Sequence, residues 1–430
     1  MNFTLRALRH RNFAWFLGGQ IFVMIGYWIQ QIALMWLVYR LTGSATLLGV
    51  VAFASNLPIL LLAPFVGLWC DRFNRHRMMT GTQVAELLQA VLLAALAFSG
   101  IIAVWHIVVL AILLGVCIAV ELPVRHAFLP ELLEDRADIP NAIALISLVG
   151  NCGRLIGPVL AGLLIGAFSE ATCFLINALS YVAVLASLAC IRVTPQHQSQ
   201  PPHPHPSALR GIKEGVVYAW RSVPMRLLLS LLAAMALAGA PYNALMPAVV
   251  HEVYAGDAQT LGLLVGAAGM GAICGTLMLA ARRNVRGLTR IVIAAAVISG
   301  CALIALSCSR LLPWSLLLMA AIGFSTLVIS VSVNMILQTI VDDDKRGRVM
   351  SLYTVAFLGV APLGGLLAGV LADHIGATHT VFAGGVVGLL VALYMASQLP
   401  RIRSHVRPIY ARLGIAKSSW NPSQKISERS

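Results

Sequence analysis

Few residues in this 430-residue chain can do chemistry, and most of them sit in apolar surroundings. The lone cation Arg154 stands in the run GRLIGPVLAG, Gly153 to Gly162. Counted from a helix start near Asn141, it lies about 20 Å along the axis at 1.5 Å per residue. If the run crosses a membrane, that depth is close to the middle, where a charge costs about 2.5–3.5 kcal/mol on insertion scales. A guanidinium offers five donors in a planar fork, suited to a carboxylate, a catecholate or a proton-carrying acid. Arg154 therefore either faces a cavity and meets an anionic substrate or gating carboxylate, or pairs with Glu86, the nearest acid by depth. Glu86 recurs with Gln83 and Gln89 at every third residue, a polar stripe on one helix face. Its carboxyl can carry a proton or serve a structural hydrogen-bonded role. Gln30, Gln31 and Asn334, with Asn56, Asn177, Asn243 and Gln338, are uncharged polar groups in or near apolar runs. They can line a cavity or bond between helices.

A second group reads as gating machinery. GLWCDRFNRHR, Gly67 to Arg77, closes one apolar run and turns into the next. Gly67 permits close helix approach, and Asp71 is one acid among Arg72, Arg75 and Arg77. An acid at a membrane edge needs a partner or a helix N-terminus. It is either a local ion pair or a latch that breaks and reforms. Glu121 and Arg125 close the fourth apolar run four residues apart, a spacing that favours local pairing, with Asp71 or Arg72 as a cross-loop alternative. Asp342, Asp343 and Asp344 precede Lys345, Arg346 and Arg348, where the acids suit a helix N-terminus and the bases can dock an inner gate.

The elements that hold these residues must be membrane spans. Hydrophobic residues make up 59% of the chain and charged ones 11%, against roughly a quarter in soluble proteins. Runs long enough to cross about 30 Å of hydrocarbon fall at 13–39, 46–69, 78–98, 103–121, 141–168 and 171–191, then at 226–249, 261–281, 288–308, 313–337, 349–371 and 379–399. This predicts an all-α integral membrane protein of twelve helices. Residues 1–191 form one half, 192–225 a linker, 226–399 a second half and 400–430 a basic tail. Phe13 to Tyr39 is too long for a signal-peptide core, so it is read as the first span. The linker includes QHQSQPPHPHPS, an extended spacer whose His197, His203 and His205 lack the geometry of a closed metal site. GIKEGVVYAWRSV after it reads as an amphipathic surface helix.

Charge sets the orientation. The net charge of +14 could suggest nucleic acid, but 27 of the 30 Lys and Arg residues fall on one set of alternate loops and the two ends. Only Arg40 and Arg310 fall on the other set, and Arg154 within a span. That bias places both termini and the linker in the cytoplasm. The eight cysteines are scattered without CxxC spacing and read as packing residues. No metal, cofactor or nucleic-acid site is expected. There is no GxxxxGK[ST], GxSxG or HExxH, so the chain is read as a transporter rather than an enzyme, driven by an ion or substrate gradient.

A shift of 204 residues aligns Ser147-Leu148 with Ser351-Leu352, Pro158 with Pro362 and Leu163 with Leu367, a weak repeat that puts Leu358 opposite Arg154. Two such halves imply a pseudo-symmetric transporter with its site between them. GLWCDRFNRHR resembles the loop 2–3 signature of the major facilitator superfamily, with Asn74 where Gly is usual and His76 where a base is usual. The span holding Gly153, Gly157, Pro158 and Gly162 resembles that superfamily's exporter motif, with Ala161 at its penultimate Gly. ALMWLVYRLTGSATLLG, LPVRHAFLPELLEDRADIPNAIALISL and DDDKRGRVMSLYTVAFLGVAPLGG resemble the branch of siderophore exporters and macrolide-type drug effluxers. The resemblance implies a monomeric bacterial inner-membrane antiporter, with protons, a small molecule and lipid as partners. Arg154 and the scarcity of acids in the spans favour a siderophore or similar anionic metabolite as its substrate. The alternatives are a broad drug effluxer and a non-transporting sensor on the same fold.

Overall fold

Apolar helices dominate because a backbone in hydrocarbon must satisfy its own polar groups, which a helix does within one segment. The computed structural model describes the backbone of residues 3–191, 208–282, 285–342 and 345–412, and excludes the side chains of 3–5, 60, 63–72, 136, 208–213, 408–409 and 411–412. His197, His203, His205, Asp343, Asp344 and the tail beyond 412 lie outside the described residues. The first half holds α1 (Arg11–Thr42), α2 (Ala45–Arg72), α3 (Arg75–Phe98), α4 (Val104–Phe128), α5 (Ile139–Ala167) and α6 (Glu170–Cys190). The amphipathic α7 (Ala208–Arg221) follows. The second half holds α8 (Val223–Tyr254), α9 (Ala258–Ala280), α10 (Leu288–Cys308), α11 (Leu312–Ile340), α12 (Arg346–Thr354), α13 (Val360–Ile375) and α14 (Ala377–Ser397). A π-turn at Val355–Gly359 joins α12 to α13 into one span, and α15 (Leu399–Arg412) ends the described chain.

Among the described residues, eleven helices are long and apolar enough to cross a membrane. The 28-residue α2 is the twelfth by length, and its described apolar part is Ala45–Ile59. The twelve expected spans are recovered with ends moved by a few residues. The main change is α4, which continues past Pro123 to Phe128. Arg125 stands in the last turn of α4, and Glu121 one turn before it. Local chemistry fixes other ends. Asn74, at the position where the loop signature usually has Gly, caps α3 by accepting the Arg77 N–H at 3.0 Å. Asp257 does the same for α9 through the N–H groups of Gln259 and Thr260.

The helices alternate between a terminal face, where α1 starts and α14 ends, and a distal face. In the first half α1 packs on α5 and α6, α2 on α4, and α3 on α4 and α6. In the second, α8 packs on α13 and α14, α9 on α11, and α10 on α11 and α14. Two seams join the halves, α5 against α9 and α2 against α13, which pseudo-symmetry exchanges.

Both seams are closest toward the distal face. A Cβ on Gly162 would sit 2.7 Å from the Ala258 carbonyl oxygen, and one on Gly369 2.5 Å from that of Ala45. Distal residues of both halves share one hydrophobic core, including Leu34, Leu37 and Leu48 with Leu245, Val249 and Leu264. Toward the terminal face the core divides. Phe13, Phe16, Met79 and Phe128 pack within the first half, and Leu228, Leu231, Val292 and Ile336 within the second. The halves thus close on each other distally and part toward the face that carries the chain ends.

Candidate functional site

The small-residue run of α5 serves two neighbours. A Cβ on Gly153 would meet the Met24 carbonyl of α1 at 2.9 Å, and one on Gly157 would collide with Trp28 Cβ. On the other face, the Pro158 carbonyl fills the space beside Gly262 of α9, while Gly162 abuts Ala258. The run therefore brings α5 close to α1 within the half and to α9 across the seam. Arg154 lies where the two faces meet, since the α9 seam reaches its backbone at Gly269. Its side chain is exposed, and the guanidinium lies over the Trp28 ring at 5.0 Å. No carboxylate among the described residues pairs with it, so the Glu86 partnership is not found. Beside it, the Tyr27 ring meets Trp28 edge-on at 5.8 Å, and Gln31 bonds to the Tyr27 hydroxyl. Arg154, Trp28, Tyr27 and Gln31 form one polar and aromatic patch on α1 and α5.

Glu86 belongs to a different cluster. It is 1% exposed, and Gln83 Nε2 donates both to Glu86 Oε2 and to Glu121 Oε1, each at 3.1 Å. Arg125 forms an ion pair with Glu121. The expected local pairing of Glu121 and Arg125 is present, but buried and linked to Glu86 rather than at a membrane rim. Gln83 of α3 makes the link by bonding to Glu121 of α4. Gln30 is also interior. It donates to Gln89 Oε1 at 3.3 Å and accepts from Asn177 Nδ2 at 2.8 Å, tying α1 to α3 and α6.

The terminal face holds the gating candidates. Arg75 donates to Glu131 at 2.7 Å and to the Ala127 carbonyl at 3.3 Å, which fastens α3 to the end of α4. The side chains of Gly67, Asp71 and Arg72 lie outside the described residues. Arg348 pairs with Glu214 of α7 at 2.7 Å. Tyr218 of α7 donates to Asp342 at 2.8 Å, and the Lys345 ammonium sits over the Tyr218 ring at 4.6 Å. The bases before α12 thus hold the amphipathic linker helix. In the second half, Gln338 donates to Asn334 Oδ1 at 2.6 Å, and Asn334 also bonds to the Tyr353 hydroxyl beside the π-turn.

Two features escape sequence reasoning. Asp138, just before α5, accepts from Arg6 Nε at 2.6 Å, Arg9 at 2.9 Å and His10 Nε2 at 2.8 Å. His10 Nδ1 accepts the Glu134 N–H, so its proton is on Nε2, toward the acid. The hydrogen bond from His10, then the charges of Arg6 and Arg9, hold the Asp138 carboxyl down to about 2. The signal available was an acid directly before the Ile139-Pro140 helix start, opposite a basic N-terminus. The second feature is Asp373 of α13, which accepts the Ala45 N–H at 2.9 Å, the Thr46 N–H at 3.1 Å and the Ser44 hydroxyl at 3.0 Å. A carboxylate of one half caps a helix of the other at the distal seam. No local pattern announces such a cap.

Known proteins resemble the chain along nearly its whole length. A major facilitator family model described as transmembrane secretion effector matches residues 3–419. The chain is 27% identical to the staphyloferrin A transporter of Staphylococcus aureus over 88% of its length and 94% of the relative's. It is 27% identical to the multidrug efflux pump Tap of Mycolicibacterium fortuitum, covering 87% and 92%, and 23% identical to macrolide efflux protein A of Streptococcus pyogenes, covering 87% and 93%. In fold it is similar to the nucleoside transporter NupG, with TM-score 0.71 and 11% identity over 93% of this chain and 99% of that one. The apolar helices, the two-seam architecture and these matches lead to one conclusion: the chain is a multi-pass membrane transporter of the transmembrane secretion effector family, within the major facilitator superfamily.

Proposed function

We propose that this protein exports a small anionic molecule, of the siderophore or a similar class, from the cytoplasm across a bacterial inner membrane by proton antiport and alternating access. The observation that carries this reading is Arg154. An exposed guanidinium braced on an indole, at the point where the α5–α9 seam reaches its backbone, keeps its fork of donors available to a carboxylate or catecholate. The bias of Lys and Arg orients the terminal face to the cytoplasm. The described conformation is then the one that loads substrate from inside. Tyr27, Gln31 and the Asn334–Gln338–Tyr353 group serve as further binding contacts, and Glu121, Arg125, Asp71, Arg72, Arg75 and Arg348 as gating elements. Residues 1–191 and 226–399 act as the rocking halves of a monomer, with 192–225 as the tether and 400–430 as the tail.

Purified protein in liposomes with an imposed pH gradient tests the reading, with staphyloferrin A and erythromycin as probes. Gradient-dependent movement of staphyloferrin A that Arg154→Ala abolishes supports it. Movement of erythromycin alone, unaffected by Arg154→Ala, replaces it with drug efflux. Movement of neither at any gradient favours a sensor.

A further inference from the structure

We propose that the coupling proton is carried inside the first half, on Glu86, at a buried site formed by Gln83, Glu86, Glu121 and Arg125 and separate from the substrate patch around Arg154. This rests on the reading of the protein as a proton-driven exporter. Charge is unbalanced in this cluster. The cluster holds two carboxylates and one guanidinium, and that guanidinium is paired with Glu121. Glu86 is left with two neutral donors, the Gln83 amide and the Tyr181 hydroxyl, and is 1% exposed. An ionised carboxylate buried without a cation is heavily penalised, and protonation removes the penalty.

The groups facing Glu86 leave the balance unchanged. Cys117, Glu121 and Arg125 approach from α4, Tyr181 from α6 and Tyr27 from α1. Arg125 is the single permanent cation among them. Orphaned polar atoms point to a mobile occupant as well. Glu86 Oε1, Gln83 Oε1 and Arg125 Nε are buried with no hydrogen-bond partner among the described residues. Buried polar groups are almost always satisfied. A carboxylic acid proton on Glu86, with water beside it, supplies the missing donors and acceptors.

The cluster also has an exit and a moving part. Arg125 keeps 13% of its side chain exposed and stands toward the terminal end of α4, so protons reach the site from that face. Pro123 lies between Glu121 and Arg125 and removes one helix hydrogen bond there. A bend of α4 at this point alters which carboxylate Arg125 neutralises. When Glu86 gains the cation it releases its proton, and when Glu121 regains the cation Glu86 takes one up. No bond other than O–H forms or breaks.

Two measurements on the full chain test the site. The first needs no substrate. Infrared difference spectra of the protein in lipid, recorded between acid and alkaline pH, should show a buried protonated-carboxyl C=O band that titrates, is lost in Glu86→Gln and titrates at lower pH in Glu121→Gln, where Arg125 is left to neutralise Glu86. A wild-type protein without such a band, or a band that survives in Glu86→Gln, overturns the proposal. The second uses whichever of staphyloferrin A and erythromycin the liposomes transport. Glu86→Gln should keep gradient-independent exchange of that probe and lose its pH-driven accumulation, while Glu86→Asp, which retains a titratable group, should keep both. Wild-type accumulation by Glu86→Gln overturns the site, and so does loss of exchange and accumulation together in a variant that melts like the wild type. If neither probe moves, the export reading fails, and the infrared result still decides whether Glu86 holds a proton.

Discussion

Removing the Asp373 carboxylate should shift the protein toward a conformation open at the distal face. Asp373 accepts two backbone N–H groups and one hydroxyl from the first turn of α2 in the other half, at 2.9–3.1 Å. These donors lose a protein partner whenever the seam opens, so the cap stabilises the closed seam alone. An N-cap acceptor is worth about 0.5–2 kcal/mol, so Asp373→Ala should raise the ratio of distal-open to distal-closed protein by about 2- to 30-fold. Ser44 keeps its own bond to the Leu47 N–H, which spares α2 itself from unravelling. Asn caps a helix about as well as Asp but carries no charge, so Asp373→Asn should give a smaller shift. Nitroxide labels on Leu41→Cys and His379→Cys, exposed positions at the distal ends of the two halves, report the opening as a longer distance population in a cysteine-free background. An unchanged distance distribution in Asp373→Ala would refute the reasoning. A shift in Asp373→Asn as large as in Asp373→Ala would show that charge, not capping, closes the seam.

Further expectations follow from the same geometry. Gly369→Val and Gly162→Val insert bulk between the α2–α13 and α5–α9 backbones, and the same labels should report distal opening without any loss of charge. Arg154→Ala should abolish export of staphyloferrin A at matched membrane abundance, and Arg154→Lys should reduce it partially, because charge survives but the planar fork does not. Asp138 titrates at about 2 in its latch against an ordinary 3.8, so the latch is complete above about 3.8 and lost as pH falls toward 2. Protection of residues 3–10 against hydrogen exchange, taken relative to the intrinsic rate at each pH, should therefore be high at neutral pH, fall below about pH 4, and be low at every pH in Asp138→Asn.

The spans were legible because hydropathy is additive along the chain, and a helix in lipid needs no partner to be predicted. The ends that moved are those where polar residues lie inside a helix. Glu121 and Arg125 read as a helix end because charged residues normally sit there, and Arg125 is in the last turn of α4, but their burial against Gln83 of α3 was not legible. Arg154 was legible as an anomaly, but its environment was not, since Trp28 is one aromatic among many in apolar runs and meets Arg154 only through the closeness of Gly157 to α1. Asp138 and Asp373 were missed for a shared reason. Each satisfies donors more than a hundred residues away, and no local periodicity encodes a partner at that separation.

The polar interior is also unequally divided between the halves. Every buried carboxylate and side-chain amide among the described residues lies in the first half, from Gln20 to Asn177, whereas the buried polar side chains of the second half are the hydroxyls of Ser299, Ser315, Ser325, Ser330, Ser332 and Thr380. At the position equivalent to Arg154, the second half has Leu358 within the π-turn Val355–Gly359. A π-turn widens the helix by one residue and often marks a functional site or a bend. Ser330 bonds back to the Leu327 carbonyl and Thr380 to that of Gly376, each near its own place in the chain, and Ser315 meets the Tyr254 hydroxyl of α8, so the buried polar contacts of the second half carry no charge. The first half must keep Glu86, Glu121 and Arg125 in register with one another, and its Gln30–Gln89–Asn177 bonds tie α1, α3 and α6 together for that purpose. Concentrating the buried charges in one half lets that repeat of a duplicated fold specialise in charge chemistry while the other keeps an interior without a charged network.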